Sequence, residues 1–144
     1  MIVVDLNILL YAINPTFEHH AKIKKWWETS MNGNEPIGLA WIVLLGFMRI
    51  STNPRIFPNP LSTETAIRKI DIWLNHHNTQ LMHESENHWS ILRELLNDTG
   101  AAGNLVTDAY LAALSISNGA KLVSCDNDFA RFPKLRWQNP LQEI

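Results

Sequence analysis

Residues two to four, Ile2, Val3 and Val4, form an unbroken β-branched run, and the fifth is an aspartate. A strand without alternation is buried on both faces, as inside a parallel sheet covered by helices. No charge sits comfortably in the middle of such a strand, so Asp5 marks the point where it leaves the core. Leu6 to Leu10 then read as the start of a helix packed back on the sheet. In open α/β sheets that exit is where ligands are held, beside a topological switch point. The expected class is therefore α/β, and the remaining chain is read for further strands, covering helices and polar groups at strand exits.

The chain has 144 residues, 46% of them hydrophobic and six of them tryptophan. That supports one domain, residues 1–144, with a full core and no staples. A single cysteine, Cys125, excludes an intrachain disulfide framework and a cysteine-rich zinc site, and fits a reducing compartment. No charged region precedes an apolar stretch of signal length, and no run approaches membrane-spanning length. The expectation is a cytoplasmic protein with no membrane partner. A formal net charge of −2 writes no large nucleic-acid footprint into the total, so a polyanion would be held by local basic patches or metal ions.

Beyond Asn14 and Pro15, Phe17 to Met31 has helical spacing through Phe17, Ile23, Trp26 and Trp27, with Lys22, Lys24 and Lys25 toward its other face. Pro36 to Leu39 is a second strand. Trp41, Leu44, Leu45 and Met48 recur at i, i+3, i+4 and i+7, the stripe of a helix laid on the sheet, and Gly46 falls off that stripe. Ser51 to Pro60 holds three prolines and forms a stiff loop edged by Arg49 and Arg55. Ser62 caps a helix with Ala66, Ile67, Ile70, Trp73 and Leu74 inward. Gln80 to His83 is a third strand, and Glu86 to Asn97 a helix with Trp89, Leu92, Leu95 and Leu96 inward. Asn104 caps a long apolar helix that stops at Asn118 and Gly119. Lys121 to Ser124 is a fourth strand, Phe129 to Pro133 a helical turn, and Leu135 to Trp137 a final short strand. His76 and His77 are adjacent and point to different sides, a poor chelate.

Three acids stand where this outline gathers polar groups: Asp5 after strand one, Asp108 in the first turn of the apolar helix, and Asp126 after strand four. If strands one and four are neighbours, their exits face one crevice with Asp108 at its rim. Carboxylates within a few ångströms raise one another's pKa unless a cation lies between them. Oxygen ligands alone select a hard ion, magnesium (Mg²⁺) or manganese (Mn²⁺). Each acid also has an ordinary explanation, helix-dipole stabilisation for Asp108 and turn formation for Asp126.

These residues resemble the PIN-domain ribonucleases, and among them the VapC-type toxins of bacterial toxin–antitoxin pairs. The resemblance rests on Val3 to Asn7, on Leu44 to Arg49 with Ser51 to Arg55, on Gly103 to Ala109 and on Ser124 to Phe129, in that order and spacing. It implies a three-layer α/β/α domain with a central, mainly parallel sheet of four to five strands, and Mg²⁺- or Mn²⁺-dependent cleavage of RNA. Asp5, Asp108 and Asp126 match the family's metal-binding acids, Asn7 and Ser124 the polar positions beside them, and Asp128 an assisting one. The family commonly carries a glutamate where this chain has Gly46, which opens the question of one ion or two. Arg49, Arg55, Arg131, Lys134 and Arg136, with Lys22, Lys24 and Lys25, are candidates for the RNA path. The resemblance further implies a cognate VapB-type antitoxin and a homodimer, for which Trp26, Trp27 and Trp73 offer contacts unless they are core.

Two rival readings use the same residues. A haloacid-dehalogenase-like phosphatase would employ Asp5 as a nucleophile, although the second acid of its Asp-x-Asp start is absent. A degenerate module, disarmed at Gly46, would grip RNA or a partner without cutting.

Overall fold

The structure is a computed structural model describing residues 1–142; the last two residues of the expected 1–144 domain lie outside the described residues. In chain order the elements are β1 (Ile2–Val4), α1 (Leu6–Ile13), α2 (His20–Met31), β2 (Ile37–Leu39), α3 (Trp41–Ser51), α4 (Thr63–Asn75), β3 (Thr79–Leu81), α5 (His88–Thr99), α6 (Leu105–Ser117), β4 (Lys121–Val123) and β5 (Trp137–Gln138). Short 3₁₀ turns occupy Asn127–Arg131 and Pro140–Gln142.

The strands form one sheet in the order β3-β2-β1-β4-β5, and every neighbouring pair is parallel. β1 lies at the centre, with Val3 opposite Gly38 on one side and Leu122 on the other. Val3, Val4, Leu122 and Val123 are fully buried, as an unbroken apolar run requires. The chain moves outward from β1 through β2 to β3, then returns across the sheet to β4. The β1/β4 boundary is therefore the switch point. α1 packs on α2 and α3, and α3 on α4, whereas α5 and α6, carried in the return crossover, pack on each other. Right-handed crossovers of opposite direction put these two groups on opposite faces, giving three layers, α/β/α.

The helix faces differ in places from those read off the periodicity. In α3 the buried residues are Val43, Leu44, Gly46, Phe47 and Ser51, while Trp41 and Leu45 are 51% and 63% exposed. The helix is apolar nearly all round, so two overlapping stripes satisfy the same spacing. Tertiary packing selects the one that sets Phe47 against Trp73, ring centroids 4.9 Å apart. Trp89 on α5 and Ile67 on α4 likewise face solvent. α2 starts at His20 rather than Phe17, and Asn104 precedes α6 without a capping hydrogen bond from its side chain. Trp27 and Trp73 are core, packed edge to face at 6.0 Å, so they are withdrawn from any dimer contact; Trp26 is half-buried.

Gly119 ends α6 at φ +63°, a left-handed conformation that a Cβ disfavours. Gly119→Ala is expected to cost about 1–2 kcal/mol, read as a lower denaturation midpoint at unchanged m.

Candidate active site

Because β1 and β4 run side by side in parallel, the residues that follow them emerge at the same sheet end. Asp5 donates its N–H to the Val123 carbonyl at 2.9 Å, an extension of the sheet ladder by one residue. It also caps α1: its backbone is extended, and its Oδ1 accepts the Leu6 N–H at 2.7 Å. The other oxygen, Oδ2, accepts the Ser124 hydroxyl at 2.7 Å and the Asn7 carboxamide at 3.3 Å.

Ser124 is fully buried and joins the two strand exits. While its hydroxyl donates to Asp5, its Oγ accepts from Asn7 Nδ2 at 3.1 Å and from the Asp126 N–H at 3.0 Å. Asn7 completes the bridge by accepting the Cys125 N–H at 3.1 Å. Asp126 turns its Oδ1 to the Asp128 N–H at 2.8 Å, opening the short turn after β4. Asp5, Asn7, Ser124, Asp126 and Asp128, separated by more than a hundred residues, thus form one hydrogen-bonded group.

Asp108 reaches the same place from α6. It shares with Asp5 a cleft of about 690 Å³, part of it open to solvent, walled by Leu6, Ile42, Val43 and Gly46 on one side and Asn104, Thr107 and Leu111 on the other, with Arg49 at its edge. Partial burial, followed by the charges of Asp5, Asp126 and Asp128, pushes Asp108 up to about 6, and only Arg131 acts in the opposite sense. Burial also raises Asp5, against the hydrogen bonds from Ser124 and Leu6, and Asp126 adds to the rise. Cys125 is pushed up to about 12 by burial and by Asp5, so its thiol stays protonated and is no nucleophile at neutral pH.

This is an electrostatic arrangement that wants a cation. The donors are carboxylate, carboxamide and hydroxyl oxygens, the set a hard divalent ion prefers. The sequence led to an expectation of three carboxylates within a few ångströms. Instead, among the described residues no three histidine, cysteine, aspartate or glutamate side chains are grouped closely enough to hold a metal ion by themselves. The reason is that α6 stands across the cleft from the joined pair at the strand exits. A Mg²⁺ ion suits such spacing, since it keeps several waters and takes few protein ligands. The residues fit the ion on donor chemistry and on uncompensated charge.

The raised carboxyls make a prediction for the metal-free protein. A carboxyl whose pKa is higher folded than unfolded contributes stability below its unfolded value, here 3.8, and loses it as pH rises through about 6. Urea unfolding in EDTA is expected to show a contribution of about 1 kcal/mol vanishing across that window, once solvent screening of the half-exposed Asp108 is allowed for. Asp108→Asn should show a smaller fall, the part due to the raised Asp5 remaining, and millimolar Mg²⁺ should offset the fall in the wild type. A parallel pH profile for the two proteins would contradict the assignment.

The basic candidates do not form one stripe. Arg131 lies beside the acids and pairs with Asp128 at 3.4 Å. Lys134 pairs with Glu94 at 2.6 Å, and Arg136 donates to the Gly119 carbonyl at 2.6 Å, ahead of β4 and so at the other end of the sheet. Lys22 donates to the Leu141 carbonyl and Lys24 faces Glu28. Arg55 is exposed on the proline-rich loop, its N–H bound by Asn53. Ile42, Thr107 and Tyr11 were given no role from the sequence, although Thr107 lies in the Gly103 to Ala109 stretch. The phenol of Tyr11 is raised by burial, then by Cys125, Asp126 and Asp5, which puts it near the acids. Its spacing of four from Asn7 on α1 was the available signal.

The PIN domain family matches residues 2–135. Ribonuclease VapC37 of Mycobacterium tuberculosis is 41% identical over 140 residues, covering 97% of both chains. Ribonuclease VapC33 of the same species is 41% identical over 143 residues, 99% of this chain and 100% of the relative. Among solved structures, VapBC2 from Rickettsia felis bound to a DNA fragment from their promoter superposes with a TM-score of 0.69 at 27% identity, covering 96% of this chain and 98% of that one. The M. tuberculosis toxin VapC20 superposes at 0.67 with 18% identity, a likeness of fold alone. The family match overturns the phosphatase alternative. With its parallel sheet, its switch-point acids and these relatives, the chain belongs to the PIN domain family, on its VapC ribonuclease branch.

Proposed function

We propose that this protein is a Mg²⁺- or Mn²⁺-dependent endoribonuclease, the toxin of a type II toxin–antitoxin pair. The observation that carries the reading is the Ser124-centred network tying Asp5 to Asp126 at the switch point, with Asp108 across the cleft, in a chain 41% identical to ribonucleases. Asp5, Asp108 and Asp126 would hold the ion. When bound, it supplies a water of lowered pKa and offsets negative charge on the phosphodiester. Ser124 and Asn7 orient the Asp5 carboxylate, and the Asp128 N–H fixes that of Asp126. The net reaction is hydrolysis: water oxygen bonds to phosphorus, the phosphorus–oxygen ester bond breaks, and the leaving oxygen takes a proton.

Arg49 and Arg131 border the acids and are assigned to the RNA backbone, with Arg55, Lys134 and Arg136 as outlying contributors to its attraction. The solved VapBC assemblies support a VapB-type antitoxin as partner, and the reading includes a homodimer in the cytoplasm. Among the described residues no helix is long and apolar enough to cross a membrane. The direct test is incubation of purified protein with a structured RNA in MgCl₂, in MnCl₂ and in EDTA. Cutting that requires the divalent ion supports the reading, and cutting undiminished in EDTA contradicts it.

A further inference from the structure

We infer that the cleft between α3 and α6 is a nucleotide subsite, in which the base next to the scissile phosphate lies on an apolar wall made by Leu6 and Ile42 while its phosphate meets Arg49. The inference rests on the nuclease reading and adds to it where the substrate sits. It starts from Gly46. A Cβ at that position would stand 2.9 Å from Leu6 Cδ2, so the leucine side chain already lies over the glycine and fills the space a residue there would take. The α3 side of the cleft, Leu6 and Ile42 over Gly46, consequently offers hydrocarbon and no oxygen ligand. A second hard cation has nothing to bind on that wall, whereas the flat face of a base does.

The opposite wall has the complementary chemistry. Asn104 and Thr107 line it with an amide and a hydroxyl that make no hydrogen bond among the described residues, and both are exposed. Such groups read donors and acceptors on a base edge. At the rim, Arg49 is exposed and has no ion pair among the described residues, unlike Arg131 and Lys134. An apolar face, a hydrogen-bonding edge and a free guanidinium beside a phosphodiester-cutting centre are the three things a nucleotide needs.

The test uses the four nucleoside monophosphates, which have no phosphodiester to cut, so Mg²⁺ can stay present. Methyl NMR titrations of wild type, Arg49→Ala, Ile42→Ser and Asn104→Ala follow binding without reference to cleavage. Monophosphates should shift the Leu6 and Ile42 methyl signals. Arg49→Ala should weaken all four by about tenfold, the scale of one charge-assisted hydrogen bond, and leave nucleosides without phosphate unchanged. Ile42→Ser should weaken nucleosides and monophosphates alike but not inorganic phosphate, and Asn104→Ala should level the differences between bases. A response to Arg49→Ala without one to Ile42→Ser marks a phosphate site only and overturns the inference, as do shifts confined to other elements. Metal-dependent RNA cutting is measured separately, so either reading can fail alone.

Discussion

Asp5→Asn is expected to lower RNA cleavage by about 10³-fold or more while leaving the protein folded. The magnitude follows from what the carboxylate is asked to supply: about 4 kcal/mol of transition-state stabilisation lost with the ion corresponds to that factor. Folding should survive because the charge is a burden in the metal-free state. Burial holds Asp5 above its ordinary value, so a neutral isostere relieves a cost, and its carbonyl can still accept the Leu6 N–H that caps α1. The measurement is twofold, RNA cleavage in MgCl₂ and thermal unfolding with and without Mg²⁺. The wild type should gain stability from the ion and the variant should not. Full activity in Asp5→Asn would sink the nuclease assignment and favour a module that binds without cutting.

Ser124→Ala is expected to lower Mg²⁺ affinity and activity by about 10- to 100-fold, the usual cost of losing a group that orients a metal ligand. Removing Oγ strips one hydrogen bond from Asp5 and leaves the Asp126 N–H and part of the Asn7 carboxamide unsatisfied in a fully buried place. That unsatisfied pair costs about 1–3 kcal/mol of stability. A purely structural serine would show the stability loss alone. The positioning role has a separate signature: the Ser124 hydroxyl lowers the Asp5 pKa, so without it Mg²⁺ binding should require a higher pH. An unmoved pH dependence of Mg²⁺ affinity, measured by calorimetry, would reduce Ser124 to packing.

Gly46 shows why part of the site was hidden in the sequence. As a letter, the glycine costs about 1 kcal/mol in a helix interior and reads either as a closely approached backbone or as a lost side chain. In the fold it allows α1 to lay Leu6 across α3, and the cleft wall becomes hydrocarbon. Periodicity could not reveal this, because α3 is apolar on several sides and its Trp41–Leu45 stripe was as good a candidate for burial as the Leu44–Phe47 face. The basic residues failed to form one patch for a similar reason. Arg131, Lys134 and Arg136 are close in sequence, but the turn after β4 and the start of β5 send them to different ends of the sheet.

What the amino-acid order determined by itself was local and periodic. The β-branched run ended by Asp5 required a doubly buried parallel strand. The run from Lys121 to Ser124 read as a further strand, and Asn118 with Gly119 required a helix stop. Tertiary structure decided what no local pattern encodes: that β4 pairs with β1, bringing Ser124 within 2.7 Å of Asp5 across 119 positions, and which face of α3 meets the core. Backbone sterics and hydrophobic spacing act over a few residues and are written in the chain, whereas strand neighbours and helix faces are chosen by how the whole core fills its volume.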